Sequence, residues 1–284
     1  MGRYLDPKNN IVFKKIFCQH PHLLISFLNA LLPLPKDGQI IDIEYLTPEQ
    51  TPSIPILKRT IVDVKCRDQQ GRIFIVEMQI EWNDTFMQRL LFGTAQAYVK
   101  QLSSGEGYHL LNPVYGLGII NSVFDKNSPD WYHHYSMVKV KDPKEQLIKG
   151  LSLIFIELPK FVPQTYPEKR LTVLWLRFMN ELTSQTREVD PELLTVPEIK
   201  EAVSLTEEAG FSLAELDAYE GYWKAVRSES SLLYAARVEG KAEGKAEGKA
   251  EGKAETARLM KVEGIPSETI SKCTGLSIDE IIQL

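Results

Sequence analysis

The stretch that most restricts the fold runs from Lys58 to Trp82. Its first arm reads KRTIVDVKC, its turn RDQQG and its second arm RIFIVEMQIEW. β-Branched and aromatic residues fill both arms, and a glycine ends the polar turn, which is typical of a β-hairpin. The segment therefore predicts two strands paired through a tight turn.

Each arm carries a carboxylate between residues that favour burial: Asp63 in the first arm and Glu77 in the second. A buried carboxylate is strongly unfavourable unless a partner neutralises it. Side chains two residues apart share a face of a strand, so Glu77 and Gln79 point the same way, as do Asp63 and Lys65. Pairing through the turn then brings Asp63 and Glu77 together, an arrangement that suits a hard cation such as Mg²⁺.

The alternative is a pair of ordinary carboxylates on a solvated sheet face. Alternation assigns four apolar residues to one face: Val62, Val64, Val76 and Met78. The other face carries the two acids and Gln79 together with Ile61 and Ile75, which favour burial. A face that is half apolar and carries two acids favours a cleft wall over open solvent.

Composition narrows the class of protein. The chain has 284 residues, of which 43% are hydrophobic and 25% charged, and its net charge is −5. This balance predicts a globular protein whose contacts with nucleic acid depend on a local basic patch. The scattered Cys18, Cys66 and Cys273 form no CxxC motif, so we expect a reducing cytoplasm and no disulfide framework. No apolar run approaches the length of a membrane span.

The hydrophobic pattern around the hairpin predicts both helices and strands. Residues 6–32 predict two helical pieces divided at Pro21, and residues 39–46 a first strand. Residues 85–102 predict a helix with Asp84 as its N-cap. Residues 113–121, 131–140 and 151–160 predict three further strands. Successive amphipathic helices then follow up to about residue 234, so the order predicts an α/β fold with a mixed sheet.

The C-terminal part begins with a strict four-residue repeat, EGKAEGKAEGKAEGKAE. Glu, Lys and Ala favour a helix, whereas each Gly opposes it by about 1 kcal/mol. A marginal helix, a semi-flexible spacer and a thin helix for self-association all fit this pattern.

Beyond the repeat, breaks at Gly264 and Gly275 and a cap at Ser277 predict three short helices. Their order resembles a helix-turn-helix, but Lys272 is the one base on the middle helix. We therefore expect four parts: a core over 1–165, a helical extension over 166–238, the repeat over 239–255 and a small helical unit over 256–284.

Further motifs accompany the two acids: D-x₇-K-x₂-F (Asp6, Lys14, Phe17), IVDVK, IVEMQ, R-x₈-Y-x₂-Q (Arg89, Tyr98, Gln101) and GEGYHLLNPVYGLGII. Together they resemble the Rpn family, the recombination-promoting nucleases and transposase-like proteins of the PD-(D/E)XK nuclease superfamily. The resemblance covers about residues 1–160. It implies a restriction-endonuclease-like core, a mixed central sheet of four strands flanked by helices. It also implies Mg²⁺- or Mn²⁺-dependent cleavage of DNA in recombination or mobile-element biology.

The resemblance implies roles for individual residues. Asp63 corresponds to the metal-binding aspartate, Glu77 to the acidic member of the (D/E)XK triplet, and Gln79 stands where the superfamily has Lys. A neutral amide orients water through hydrogen bonds but supplies no positive charge to a developing transition state.

Three basic side chains are candidates to supply that charge and to contact the DNA backbone: Lys14, Lys65 and Arg89. Two alternatives to an active nuclease remain open. One is a nuclease fold that binds DNA but cleaves it poorly. The other is an interaction protein that self-associates through its C-terminal helices.

Overall fold

The computed structural model describes residues 3–50, 60–80, 82–83, 85–143, 148–163 and 170–284. Its helices are α1 (Asn10–Gln19), α2 (Pro21–Leu31), α3 (Phe86–Val99), α4 (Arg170–Glu181), α5 (Pro197–Ser204), α6 (Leu213–Val262), α7 (Ser267–Thr274) and α8 (Ile278–Gln283). Its strands are β1 (Ile43–Tyr45), β2 (Glu49–Gln50), β3 (Thr60–Ile61), β4 (Val64–Asp68), β5 (Ile73–Gln79), β6 (Val114–Ile120), β7 (Tyr132–Ser136) and β8 (Leu151–Glu157).

Six of these strands form one mixed sheet in the order β1-β4-β5-β6-β8-β7. Strands β5, β6 and β8 run parallel, whereas β1, β4 and β7 join through antiparallel pairs. Helices lie on both faces of the sheet, which confirms the predicted α/β class. Edge strands β1 and β7 are part of this sheet, which has more than the four strands that the resemblance implied.

The predicted hairpin is present as β4 and β5. Val64 pairs with Val76 and Arg67 with Ile73, and Gly71 adopts the positive φ of 79° that the turn requires. The carboxylate of Asp68 accepts hydrogen bonds from the backbone amide of Arg72 at 2.9 Å and from its Nε at 2.7 Å. The turn is therefore closed by a buried ion pair as well as by its glycine.

The first arm of the hairpin is not one continuous strand, contrary to the alternation argument. β3 ends at Ile61, a bend lies at Asp63, and β4 begins at Val64. The predicted placement of Val62 beside Val64 is wrong: Val62 packs with Ile75 on the α3 face of the sheet, while Val64 packs on the opposite face. The bend breaks the period of two on which the prediction relied.

The larger hydrophobic core lies between the sheet and helices α1, α2, α4 and α5. Its largest fully buried side chains include Trp175, Phe17 and Phe27. The predicted division at Pro21 is confirmed, because this proline occupies the first turn of α2, where its missing N–H costs nothing.

Helix α3 covers the opposite face and is the crossover between the parallel strands β5 and β6. It packs closely on β6 because two of that strand's residues are glycines. A Cβ atom on Gly116 would lie 2.5 Å from Oγ1 of Thr94, and one on Gly118 would lie 2.9 Å from the Phe86 ring. The predicted cap at Asp84 lies outside the described residues.

The predicted strand over 39–46 is formed only at Ile43–Tyr45. The helical segments from about residue 167 onward are present as α4, α5 and the beginning of α6. Helix α6 continues through the repeat to Val262, so the repeat forms a helix rather than an irregular spacer. No helix in the described part of the chain is both long and apolar enough to cross a membrane.

The chain divides into two compact units, Met1–Val226 and Arg227–Leu284. In the second unit, Ala257, Ile270 and Ile281 form a small buried core. Gly264 and Gly275 adopt positive φ at the predicted helix breaks, and Ser277 forms a capping box with Glu280. The finer division at residues 165, 238 and 255 stays a prediction.

Candidate functional site

Five of the six predicted site residues meet at the carboxyl end of β5. Glu77 and Gln79 project from β5, and Asp63 projects from the bend before β4. Arg89 reaches this point from α3, and Lys14 from α1. The site therefore combines side chains from both flanking layers with two neighbouring segments of the sheet.

Asp63 is anchored to the strand that carries Glu77. Its Oδ2 accepts a hydrogen bond of 2.8 Å from the backbone amide of Met78, and its Oδ1 lies 3.9 Å from Nζ of Lys14. Burial raises the pKa of the Asp63 carboxyl, while the Met78 amide and the charges of Lys14 and Arg89 pull that pKa downward. The carboxylate is thus desolvated and only partly compensated.

Glu77 is more deeply enclosed, with 6% of its side chain exposed. Its Oε2 lies 3.3 Å from Nε of Arg89, whereas its Oε1 is buried and accepts no hydrogen bond from any residue that the structure describes. Burial raises the pKa of Glu77 to about 7; the Arg89 charge opposes the rise, and the Asp63 charge adds to it. The two acids therefore repel each other across the site, as a pair of convergent carboxylates does.

Arg89 connects Glu77 with Gln79. Its Nη2 donates a hydrogen bond of 2.7 Å to Oε1 of Gln79 while its Nε faces Glu77. The guanidinium also lies 5.0 Å from the centre of the Phe86 ring, and 40% of the side chain is exposed. Of the three basic candidates, Arg89 makes the closest contacts with the acids and with the position of the superfamily lysine.

Lys65 is the predicted site residue that the structure does not bring into this group. It pairs with Ile75 across the hairpin. Burial, and then the positive charges of Lys100 and Arg67, lower the pKa of Lys65. Within the described residues it forms no ion pair with Asp63 or Glu77, so it flanks the acids as part of a basic surface.

Glu157 was not predicted as a site residue. It ends β8 and is aligned across the sheet with Ile120 and Gln79. This buried carboxylate accepts a hydrogen bond from the amide of Asp125 at 3.1 Å, and it pairs with His133 at 3.0 Å and with Lys160. An acid at the end of the apolar run LSLIFIE was the available signal. Because its partners neutralise it, Glu157 holds the β6–β7 connection in place.

The residues present fit a divalent cation with few protein ligands. In the described parts of the chain, no group of three or more His, Cys, Asp or Glu side chains is arranged to hold a metal. Mg²⁺ usually binds one or two carboxylates and completes its shell with water and substrate phosphates. Asp63 and Glu77 could hold such an ion, and the Oε1 of Glu77, which has no hydrogen-bond partner in the described parts of the chain, is an available ligand atom.

A family model described as PD-(D/E)XK nuclease family transposase matches residues 7–236, which include the whole sheet and every candidate site residue. No curated protein and no solved structure is significantly similar to the chain. The family match covers most of the chain and confirms the resemblance seen in the motifs. This chain therefore belongs to the PD-(D/E)XK nuclease family transposases.

Proposed function

We propose that this protein is a cytoplasmic, Mg²⁺- or Mn²⁺-dependent DNA endonuclease that acts in recombination or in the movement of mobile elements. The observation that carries the proposal is the buried Oε1 of Glu77, which lies beside the carboxylate of Asp63 and has no hydrogen-bond partner among the residues that the structure describes. Such an atom is costly to leave without a partner, and a cation would satisfy it. The family match supports a nuclease-like function and DNA as the substrate.

Asp63 and Glu77 would hold the ion. When bound, a divalent cation lowers the pKa of water and stabilises the negative charge that develops on a phosphate. Gln79 would orient the attacking water through its amide, and Lys14 and Arg89 would hold the phosphates that flank the scissile bond. Lys65, with Arg67 and Lys100 nearby, would extend the contact along the DNA backbone.

A plasmid-nicking assay with Mg²⁺ and Mn²⁺ tests the proposal. We expect wild-type protein to nick supercoiled DNA, and Glu77→Gln to reduce the rate by at least 100-fold. Glu44→Gln is the matched control, because Glu44 is an exposed strand glutamate whose partner is Arg67 at 3.7 Å. Unchanged cleavage by Glu77→Gln would end the assignment.

A second candidate is a DNA-binding protein that turns over slowly. The bond between Arg89 and Gln79 favours it, because that bond occupies the amide oxygen of Gln79, the acceptor that would otherwise orient water. Turnover separates the two candidates: under saturating DNA, a binding protein shifts the DNA in a gel but leaves it intact with either metal.

A further inference from the structure

The Arg89 guanidinium and a bound cation would compete for the negative charge of Glu77. Its Nε faces Oε2 of Glu77 at 3.3 Å, and its Nη2 donates to Gln79 at 2.7 Å. Two positive charges on one carboxylate repel each other strongly in a partly desolvated site. A cation at Oε1 of Glu77 would therefore drive the Arg89 guanidinium away from Oε2 of the same carboxylate.

Lys14 is the other positive charge at the acids, and its contact is weaker. Its Nζ lies 3.9 Å from Asp63, beyond hydrogen-bond distance. A bidentate-capable guanidinium with a charge-assisted hydrogen bond is held more tightly than an ammonium at that distance. Arg89 is accordingly the main internal competitor for the acid pair.

The surroundings of Arg89 allow it to leave. The residue lies on α3 with 40% of its side chain exposed, and its guanidinium sits over the edge of the core at the Phe86 ring. Long basic side chains of this kind keep their stem on apolar surface while the charged head moves into solvent.

We propose that Arg89 is a two-position residue: it neutralises Glu77 when no cation is present, and it turns to a DNA phosphate when a cation binds. The inference rests on the proposed function, because it takes Asp63 and Glu77 as the cation ligands. A coupling of this kind is reciprocal, so cation binding strengthens DNA binding and DNA strengthens cation binding by the same factor. Cation and substrate thereby assemble the site together.

Binding of Mn²⁺, measured by electron paramagnetic resonance of the free ion at pH 8.0 without DNA, tests the first position. We expect Arg89→Met to bind Mn²⁺ about tenfold more tightly than wild type, because an internal ion pair no longer competes. Arg89→Lys keeps the charge and should fall between them. Arg187→Met is the matched control, since Arg187 is exposed and, within the described chain, donates to the nearby carbonyls of Ser184 and Thr186; we expect no change.

The outcomes separate this inference from the proposed function. If Glu77→Gln loses Mn²⁺ binding but Arg89→Met binds Mn²⁺ no more tightly than wild type, the cation site stands. The inference about Arg89 is then overturned. Unchanged Mn²⁺ binding in both Glu77→Gln and Asp63→Asn would overturn the cation site and the inference with it.

Fluorescence anisotropy of a short DNA duplex tests the second position, with Ca²⁺ as an oxygen-preferring ion of larger radius. We expect Ca²⁺ to tighten DNA binding by wild type about fivefold and by Arg89→Met less than twofold. An equal gain in both proteins would show that Arg89 does not move to the phosphate. Thermal melts by circular dichroism establish that each variant is folded.

Discussion

The carboxylate of Asp63 accepts a 2.8 Å hydrogen bond from the backbone amide of Met78, the residue next to Glu77. The two acids are thus joined through the main chain of β5 and not only through side-chain packing. Since this amide donates to Asp63, the bond also compensates part of the cost of burying that carboxylate. The relationship permits the charge of Asp63 to be separated experimentally from its structural contact.

Asp63→Asn and Asp63→Ala should therefore differ in stability but not in activity. Asparagine retains an acceptor for the Met78 amide, whereas alanine leaves a buried donor unpaired at a cost of about 2 kcal/mol. We expect both variants to lose DNA nicking, and only Asp63→Ala to show a clearly lower free energy of unfolding in urea. Wild-type nicking by Asp63→Asn would exclude a role for the charge.

Stability should depend on pH through Glu77. Its pKa rises from 4.5 to about 7 in the folded protein, so the folded state binds the proton more tightly than the unfolded state does. Wild type therefore loses stability, relative to Glu77→Gln, as pH increases from about 4.5 through 7. At pH 8 we expect Glu77→Gln to be more stable by about 3 kcal/mol, and at pH 4 to be nearly equal, in urea titrations.

The affinity for a cation should also depend on the ionisation of Glu77, but it should increase with pH, whereas stability decreases. The carboxylate form holds the ion, so affinity for Mn²⁺ should increase as pH rises through about 7 and level off above it. A flat profile between pH 6 and 8 would contradict the assignment of Glu77 as a ligand.

Restoring the superfamily lysine at position 79 should fail by itself. An ammonium at this position would meet the Arg89 guanidinium, which now donates to Oε1 of Gln79 at 2.7 Å. We expect Gln79→Lys to melt at a lower temperature than wild type without faster nicking. The double variant Gln79→Lys/Arg89→Gln should recover that melting temperature and nick faster than Gln79→Lys.

Adjacent lysines provide a matched pair for DNA binding. Lys14 is 41% exposed and faces Asp63, whereas Nζ of Lys15 donates to Gly210 at 2.7 Å and to Glu215 at 3.1 Å. We expect Lys14→Met to weaken DNA binding and to reduce the slope of log K against log salt by about 1. Lys15→Met should instead lower the melting temperature and leave the salt slope unchanged.

Self-association through the C-terminal helices remains a prediction. Within the second unit, Leu259, Val262 and Ile282 are each more than 60% exposed, and a second copy would cover them. After truncation at Glu239, we expect light scattering to give fewer chains per particle than it gives for the full-length protein. Leu259→Glu should have the same effect. An unchanged number of chains per particle in both proteins would exclude these helices as the site of self-association.

The parts of the site that depend on local rules could be predicted from the sequence. Turn chemistry around Gly71 and the period of two in β5 were sufficient to place Glu77 and Gln79 on one face and near Asp63. The same period failed at Val62, because a bend at Asp63 has no signal in the alternation of apolar residues.

Contacts that depend on packing between distant elements could not be predicted. The distance from α3 to the sheet follows from the glycines of β6, and it determines that Arg89 reaches Gln79. Among the described residues, Lys65 forms no ion pair with Asp63 or Glu77, although the sequence made it as plausible a partner as Lys14. Residue type identified the candidates, and three-dimensional packing selected among them.

Helix α3 packs Phe86 and Thr94 against the glycines of β6. The same helix carries Arg89, which contacts Glu77. Each added or removed residue rotates a helix by about 100°, since a turn contains 3.6 residues. One residue gained between Phe86 and Arg89 would put Phe86 out of phase with Arg89 and Thr94 by this angle, so the helix could no longer pack both Phe86 and Thr94 on the glycines of β6. The chemistry of this edge of the sheet thus depends on the angular phase of a helix, which no substitution at the acids can restore.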